Sequence, residues 1–364
     1  MNNLSPEMII MMVGMLVGAS CALVGSFLVL RKMSLIGDAI SHSVLPGIAF
    51  AFFISQSRAT IPMFLGAGAL GILTVFLIES LFRTKRMGSD ASIGIVFPAL
   101  FALGVILISK YAAQVDLDLD CVLYGEIAYT PWDILIVAGR SVGPKALWVV
   151  GSVTILNLLF VILFYKELKI STFDPALAFA IGFSPTLIHY LLMIMVSLTT
   201  VASFESVGAI LVVAMLIVPA SAAYLLTDRL GVMILLSVII GMGSAIGGYQ
   251  IAHRFDASIA GAMAGVAGLI FLFCWLFSPR YGILAKLIFH RRMERRVAQR
   301  LLLGHLYQIV QRPTFQDLIN RFRWSPKFSK RVTKRLLKNG FAILEADRFH
   351  LTPLGREKAK ELAG

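Results

Sequence analysis

Long apolar runs separated by short polar segments dominate the first three quarters of the chain. They cover Met8–Leu30, Leu35–Ile54, Ile61–Phe82, Ala91–Ser109, Ala146–Tyr165, Thr186–Val201, Ser206–Leu226, Gly231–Tyr249 and Ala257–Phe277. Each approaches the roughly 20 residues that a helix needs to cross a bilayer. The pattern therefore predicts about nine transmembrane helices. The weakest break is Ala202–Ser206, read as a turn. The opening MNNLSPEM has no basic stretch before the first run, so that run is read as a retained span and not a signal peptide.

After Ser278 the pattern changes to a soluble one. Val297–Gln311 is amphipathic, and Thr314 opens a short helix, TFQDLINRF, as its N-cap. Ser325 opens another, SPKFSKRVTKRLLKNG, with Pro326 in the first turn and Gly340 as the stop. FAILEADRFHLT reads as a two-stranded hairpin, and Thr352-Pro353 starts a last helix. Helix–helix–helix–hairpin–helix predicts a winged helix-turn-helix. The fold class is thus an all-α polytopic membrane protein followed by a small α+β winged helix-turn-helix domain. The expected boundaries are 1–280 for the membrane domain, 281–296 for a basic juxtamembrane linker and 297–364 for the tail domain.

Composition agrees with a membrane class. The chain is 58% hydrophobic and 15% charged, where a soluble domain is nearer half and a quarter. Charge separates the two parts. From His290 onward 18 Lys and Arg face 6 Asp and Glu, so nearly all of the net +13 lies in the tail. HRRMERR suits anionic headgroups.

Basic residues in short loops set orientation. Arg31–Lys32, Arg83/Lys85/Arg86, Lys166/Lys169 and Arg229 fall in alternate loops, on the same side as the tail after Arg280. This predicts an outside N-terminus and a cytosolic C-terminus. Arg58, Arg254 and the segment Lys110–Lys145 lie opposite. That segment holds Asp116, Asp118, Asp120, Glu126 and Asp133, and reads either as a docking surface or as a solvated loop. Cys21, Cys121 and Cys274 lack metal-type spacing, and nothing implies a disulfide framework.

Ionisable residues at bilayer depth are costly and point to function. Asp38 and His42 in GDAISHSVLPGIAF are four apart and share a helix face. Counted from Arg31–Lys32, they lie about 9 and 15 Å deep, at 1.5 Å per residue. Carboxylate plus imidazole suits zinc, manganese or iron(II), and Pro46-Gly47 just beyond would free backbone carbonyls. The alternative is that the two simply pair as structural glue. Glu205, in the turn SFESVG, either attracts cations at an outer mouth or is a solvated turn residue. His189 and His253, near span ends, read as interfacial contacts, and Asp90 as part of a helix start. There is no GxxxxGK[ST] phosphate loop and no enzyme signature, so ATP-driven transport needs an ATPase from another chain. No prosthetic group is expected, only a transported divalent ion.

RKMSLIGDAISHSVLPGIAF, SDASIGIVFPALFALGVIL, VLYGEI, FDPALAFAIGFSP and VGAILVVAMLIVPASAAYLL, in this order over Arg31–Leu226, resemble the membrane subunits of ATP-binding-cassette importers for manganese, zinc and iron. The resemblance implies a bacterial inner-membrane permease working with a cytosolic ATPase, an extracytoplasmic metal-binding protein and a second permease subunit. It implies that Phe173–Pro185 is a cytosolic coupling helix, with Phe173 at its start, Asp174-Pro175 capping and starting it and Gly182 ending it. It places the ion path at Asp38 and His42. HRFDASIAGAM, opening the last span, departs from the family pattern. The tail, with LLKNGFAI and LTPLGREKA, resembles the DNA-binding module of diphtheria-toxin-repressor-like metalloregulators, without their dimerisation domain and most of their metal ligands; His305 and His350 alone remain. If it reads DNA, Lys327, Lys330, Arg331, Lys334 and Arg335 meet the duplex and Arg348 sits on the wing. Otherwise it is a regulatory domain. The competing whole-chain reading is a membrane-tethered, metal-responsive transcriptional regulator.

Overall fold

The computed structural model describes residues 5–55, 60–84, 86–111, 126–137, 140–279, 281–308, 313–345 and 347–363. Arg58, Lys85, Asp116, Asp118, Asp120, Cys121 and most of VLYGEI lie outside them. The chain forms two compact units, Met1–Ser278 and Pro279–Gly364.

The first unit contains α1 (Pro6–Leu30), α2 (Ile36–Ser55), α3 (Thr60–Arg83), α4 (Ser89–Tyr111), a hairpin of β1 (Ile134–Val137) and β2 (Arg140–Pro144), α5 (Lys145–Leu163), α6 (Tyr165–Phe173), α7 (Pro175–Ala180), α8 (Pro185–Val207), α9 (Ala209–Leu226), α10 (Leu230–Phe255) and α11 (Ile259–Phe277). Among the described residues, nine of these helices are long and apolar enough to cross a membrane, as the hydrophobic runs predict.

They pack as two groups. α1 is central to the first, touching α5, α9 and α10, with α11 against α9 and α10. α2, α3 and α4 form the second, and α8 touches members of both. Small residues allow the closest approaches. A Cβ on Gly18 of α1 would sit 2.8 Å from the Gly241 carbonyl of α10, and one on Gly47 of α2 would sit 2.5 Å from the Gly66 carbonyl of α3. In lipid, such close backbone packing substitutes for the missing hydrophobic drive between helices. Polar ties add to it. The fully buried Asn157 of α5 donates from Nδ2 to Ser20 Oγ of α1 (2.8 Å) and Thr199 Oγ1 of α8 (2.6 Å). Each such bond contributes about 0.6 kcal/mol on average within a bilayer.

The expected turn at Ala202–Ser206 is instead helical. α8 continues to Val207, and the chain breaks at Gly208, with φ at +80°. Ala202 and Ser203 are buried and compatible with helix, whereas a left-handed φ comes at low cost only to glycine. Likewise α10 runs past Tyr249 to Phe255 and closes on a left-handed Asp256.

The second unit contains α12 (Ile283–Gln308), α13 (Phe315–Phe322), α14 (Pro326–Lys338), β3 (Ala342–Glu345), β4 (Arg348–Leu351) and α15 (Pro353–Ala363). Residues 283–296, expected as linker, are the first half of α12: ILAKLIFHRRMERRV contains no helix breaker. Thr314 caps α13 in a capping box with Asp317, and Ser325 caps α14 ahead of Pro326. β3 and β4 pair antiparallel, Ala342 opposite Leu351. Leu302, Leu306, Leu318, Val332, Leu336 and Phe349 form a core of the unit's own. Trp324 stacks on Phe322 with ring centroids 4.5 Å apart, a packing role.

Candidate functional site

The turn between α1 and α2 uses a left-handed Lys32 (φ +59°), after which α2 starts at Ile36. Asp38 falls in its first turn, where a carboxylate offsets the helix dipole. One turn on, His42 Nε2 lies 3.5 Å from Asp38 Oδ1. That distance exceeds a well-made hydrogen bond. Both side chains are about two-fifths exposed, at 37% and 42%. The pair is thus neither closed nor fully buried within this chain.

The rest of α2 fixes that face. Ser41 donates back to the Gly37 carbonyl, and the buried Ser43 hydroxyl meets Thr74 Oγ1 of α3 at 2.7 Å. Two rings of α4 flank His42: Phe97 at 5.8 Å and Phe101, edge-on, at 6.2 Å between centroids. Pro46 sits inside α2 without breaking it. Having no N–H, it cannot make the helix bond that would end on the carbonyl of His42, so that oxygen is left without its helix partner. Among the described residues, no three or more His, Cys, Asp or Glu side chains gather.

Glu205 lies in the last turn of α8, not in a loop, and its carboxylate pairs with the ammonium of Lys145, which also lies 4.0 Å from Asp133. It does not join Asp38 and His42. His253 stacks on Tyr249 at 6.1 Å. Asp90 is in the first turn of α4.

The segment 173–185 is a short helical corner. Phe173 ends α6, Asp174 accepts a hydrogen bond from the Leu177 N–H (2.9 Å), Pro175 is the first residue of α7, and Gly182 turns the chain with φ at +92°. Leu177, Phe179 and Ile181 stand exposed beside Phe173, with Phe179 the most exposed at 76%. Exposed apolar residues of this kind suit contact with another protein or with lipid. The sequence reading named Phe173 and missed the other three.

A second polar cluster was not anticipated as a unit. Arg31 donates from Nε to Thr172 Oγ1 (3.1 Å) and from Nη2 to Ser171 Oγ (3.0 Å), both on α6. Its Nη1 lies 3.1 Å from His189 Nδ1 of α8. His189 Nε2 faces Glu79 Oε2 of α3 at 3.5 Å, and Glu79 Oε1 accepts from Arg83 Nε at 3.0 Å. The sequence signal was present: Glu79 is an acid inside an apolar span, four residues before Arg83.

On the tail, Lys327, Lys330, Arg331, Lys334 and Arg335 are exposed on α14 while Ser329, Val332, Thr333 and Leu336 are buried; Arg348 is exposed on β4. His305 packs edge-on against Phe322 at 5.1 Å, and His350 lies 3.9 Å from Glu345.

Residues 7–278 match the ABC 3 transport family. The manganese transport system membrane protein MntD of Bacillus subtilis is 51% identical over 292 residues, 80% of this chain and 99% of that protein. The zinc transport system membrane protein TroD of Treponema pallidum is 43% identical over 337 residues, 91% of this chain and 92% of that protein. A match of that length necessarily runs beyond Ser278 into the tail. Among solved structures, PsaBC from Streptococcus pneumoniae in complex with Fab is similar with a TM-score of 0.64 and 33% identity, over 77% of this chain and 94% of that one. With its apolar helices and a family match spanning the whole membrane unit, the chain belongs to the ABC 3 transport family, whose members are transport proteins of the multi-pass membrane type.

Proposed function

We propose that this chain is the permease subunit of an ATP-binding-cassette importer that passes a divalent transition metal, manganese, zinc or iron, across the bacterial inner membrane. The observation that carries the reading is the half-exposed Asp38–His42 pair inside an apolar span, in a helix that Pro46 deprives of the bond to the His42 carbonyl. Relatives named for manganese and for zinc support the same substrate class. A carboxylate oxygen, an imidazole nitrogen and a carbonyl replace part of the ion's water shell. So few ligands from one chain suit passage, not retention. A second permease subunit, placed so that its own pair faces this one, supplies the remaining ligands.

Energy comes from a separate ATPase subunit seated on the corner of Phe173, Asp174, Pro175 and Gly182. The exposed Leu177, Phe179 and Ile181 support this docking. The basic residues Lys166 and Lys169, and those following Arg280, favour a cytosolic side for that corner and for the C-terminus. An extracytoplasmic metal-binding protein delivers the ion at the opposite mouth. There Glu205 acts on cations only by leaving Lys145.

The deciding experiment is uptake by the assembled complex in vesicles. Asp38→Ala and His42→Ala should each abolish metal uptake while the complex still assembles. Uptake at the unaltered rate in both variants refutes the assignment.

For the tail, we propose a winged helix-turn-helix domain, residues 297–364 extended by the start of α12. The exposed basic face of α14, together with the exposed Arg348 on β4, is what favours DNA contact. Binding through phosphates weakens steeply with salt, but any basic fragment shares that property. The test is therefore sequence selection from random duplexes by a fragment starting at Ile283, repeated with Arg331→Ala and Arg335→Ala. An enriched site lost in the variants supports a regulator of DNA; none leaves a domain that regulates transport through protein contacts.

A further inference from the structure

We propose that Arg31, His189 and Glu79 form a transmission link between the ATPase-docking corner and the ion path, and that they act by positioning, without touching the ion. The proposal rests on the permease reading above.

The geometry is that of a relay. Arg31 caps the end of α1 and begins the turn into α2, seven residues before Asp38. Its guanidinium reaches away from α2 to Ser171 and Thr172, the last turn of α6, from which the docking corner hangs. The same guanidinium holds His189, in the first turns of α8. Arginine only donates, so His189 Nδ1 must accept, and the ring proton of the neutral imidazole sits on Nε2. That N–H points at Glu79 of α3, the helix paired with α2. Displacement of α6–α7 by an ATPase would thus reach α2 by two routes: through Arg31 at its start, and through His189 and Glu79 by way of α3.

One joint of the relay is long. The Nε2–Oε2 separation is 3.5 Å, although both side chains are nearly buried, at 14% and 13% exposure. The contact is within reach of Glu79 but longer than a well-made hydrogen bond. The cluster also lines a cavity of about 380 Å³ together with Lys32 and Pro175, which leaves the side chains room to shift. A long joint beside free space fits a link that tightens in one state of the transport cycle and slackens in another. Rigid cores and interfaces convert small shifts of this kind into discrete movements of helices.

The test uses the complete importer in vesicles, with ATP hydrolysis and manganese uptake measured on the same preparation. Arg31→Gln, His189→Gln and Glu79→Gln are compared with the unaltered chain. Each should keep the ATPase bound and hydrolysing while uptake per ATP falls roughly tenfold, a typical coupling between distant sites. Arg31→Lys should not rescue, because a point charge cannot replace a planar fork holding three partners. Arg31→Gln combined with His189→Gln should be no worse than either alone, as expected of one link. The proposal is overturned if uptake per ATP stays unchanged in the assembled variants, or if hydrolysis and uptake fall in parallel. Asp38→Ala serves as the control for the underlying reading. If it and His42→Ala both transport normally, the ion-path assignment has failed; if they are inactive and the link variants stay coupled, only the link has failed.

Discussion

Replacing Pro46 by Ala should make the protein more stable and a slower transporter. Proline inside a helix is about 3 kcal/mol less favourable than alanine. Losing two buried ring methylenes offsets about 1.6 kcal/mol of that. The net expectation is stabilisation of about 1 kcal/mol. The new N–H at position 46 bonds the carbonyl of His42, which then no longer faces the ion freely. Such a bond contributes about 0.5–1.5 kcal/mol. Breaking it during each passage should slow uptake about two- to tenfold, at 1.36 kcal/mol per factor of ten. The assay pairs thermal unfolding of the detergent-solubilised permease with manganese uptake by the reconstituted complex. A rise in stability with unchanged uptake would show that the His42 carbonyl takes no part in passage. A fall in stability would show that packing of the proline ring outweighs the missing hydrogen bond, and the argument about the helix would be wrong.

Other outcomes follow from the same geometry. Phe179→Asp, at the most exposed apolar position of α7, should prevent co-purification of the ATPase subunit while leaving the permease folded; retention of the ATPase would exclude this patch as the dock. Gly18→Val should lower the melting temperature of the membrane unit, because its side chain meets the Gly241 backbone at 2.8 Å; overpacking of this kind costs about 1–3 kcal/mol. In the tail, Thr314→Ala should cost about 1 kcal/mol by removing the α13 cap. The two Thr314 hydrogen bonds, first from its N–H and then from its hydroxyl, hold the Asp317 carboxyl below its usual range. A depressed carboxyl stabilises the fold above its unfolded value near 3.9, and that contribution disappears as pH falls through the folded value. The melting temperature of the isolated tail should therefore drop more steeply below about pH 4 in the unaltered protein than in Asp317→Asn.

Much of the membrane body was legible because its information is local. Apolar runs gave the helices, and the spacing of Asp38 and His42 placed both on one face of α2. What escaped was decided by tertiary contacts. Arg31 read as a marker of the membrane boundary, since a sequence does not tell whether a cationic side chain turns outward to headgroups or inward to α6 and α8. Glu79 was hidden in a hydrophobic run, and its partner His189 lies more than a hundred residues away. The end of α8 was misplaced because Ala202–Ser206 contains small and polar residues, which suit a turn in water and a packed helix in a bundle equally well. The exposed row beside Phe173 became visible only when the short α7 showed which of its apolar residues lack a neighbour.

The seam between α1 and α10 also bears on how the protein is made. Gly18 finds Gly241 more than 200 residues later in the chain. At about 5–20 residues per second, the ribosome takes roughly 10–40 s to deliver that partner. Until then the first helix waits in the bilayer with its glycines uncovered. Ser20, too, lacks its tie to Asn157 until α5 arrives. A nascent chain that stalls before α10 therefore displays a bare, sticky stripe to its surroundings. Premature stop products ending before α10 should be cleared by membrane proteases faster than those that end after Phe255, where the α1 seam is already closed.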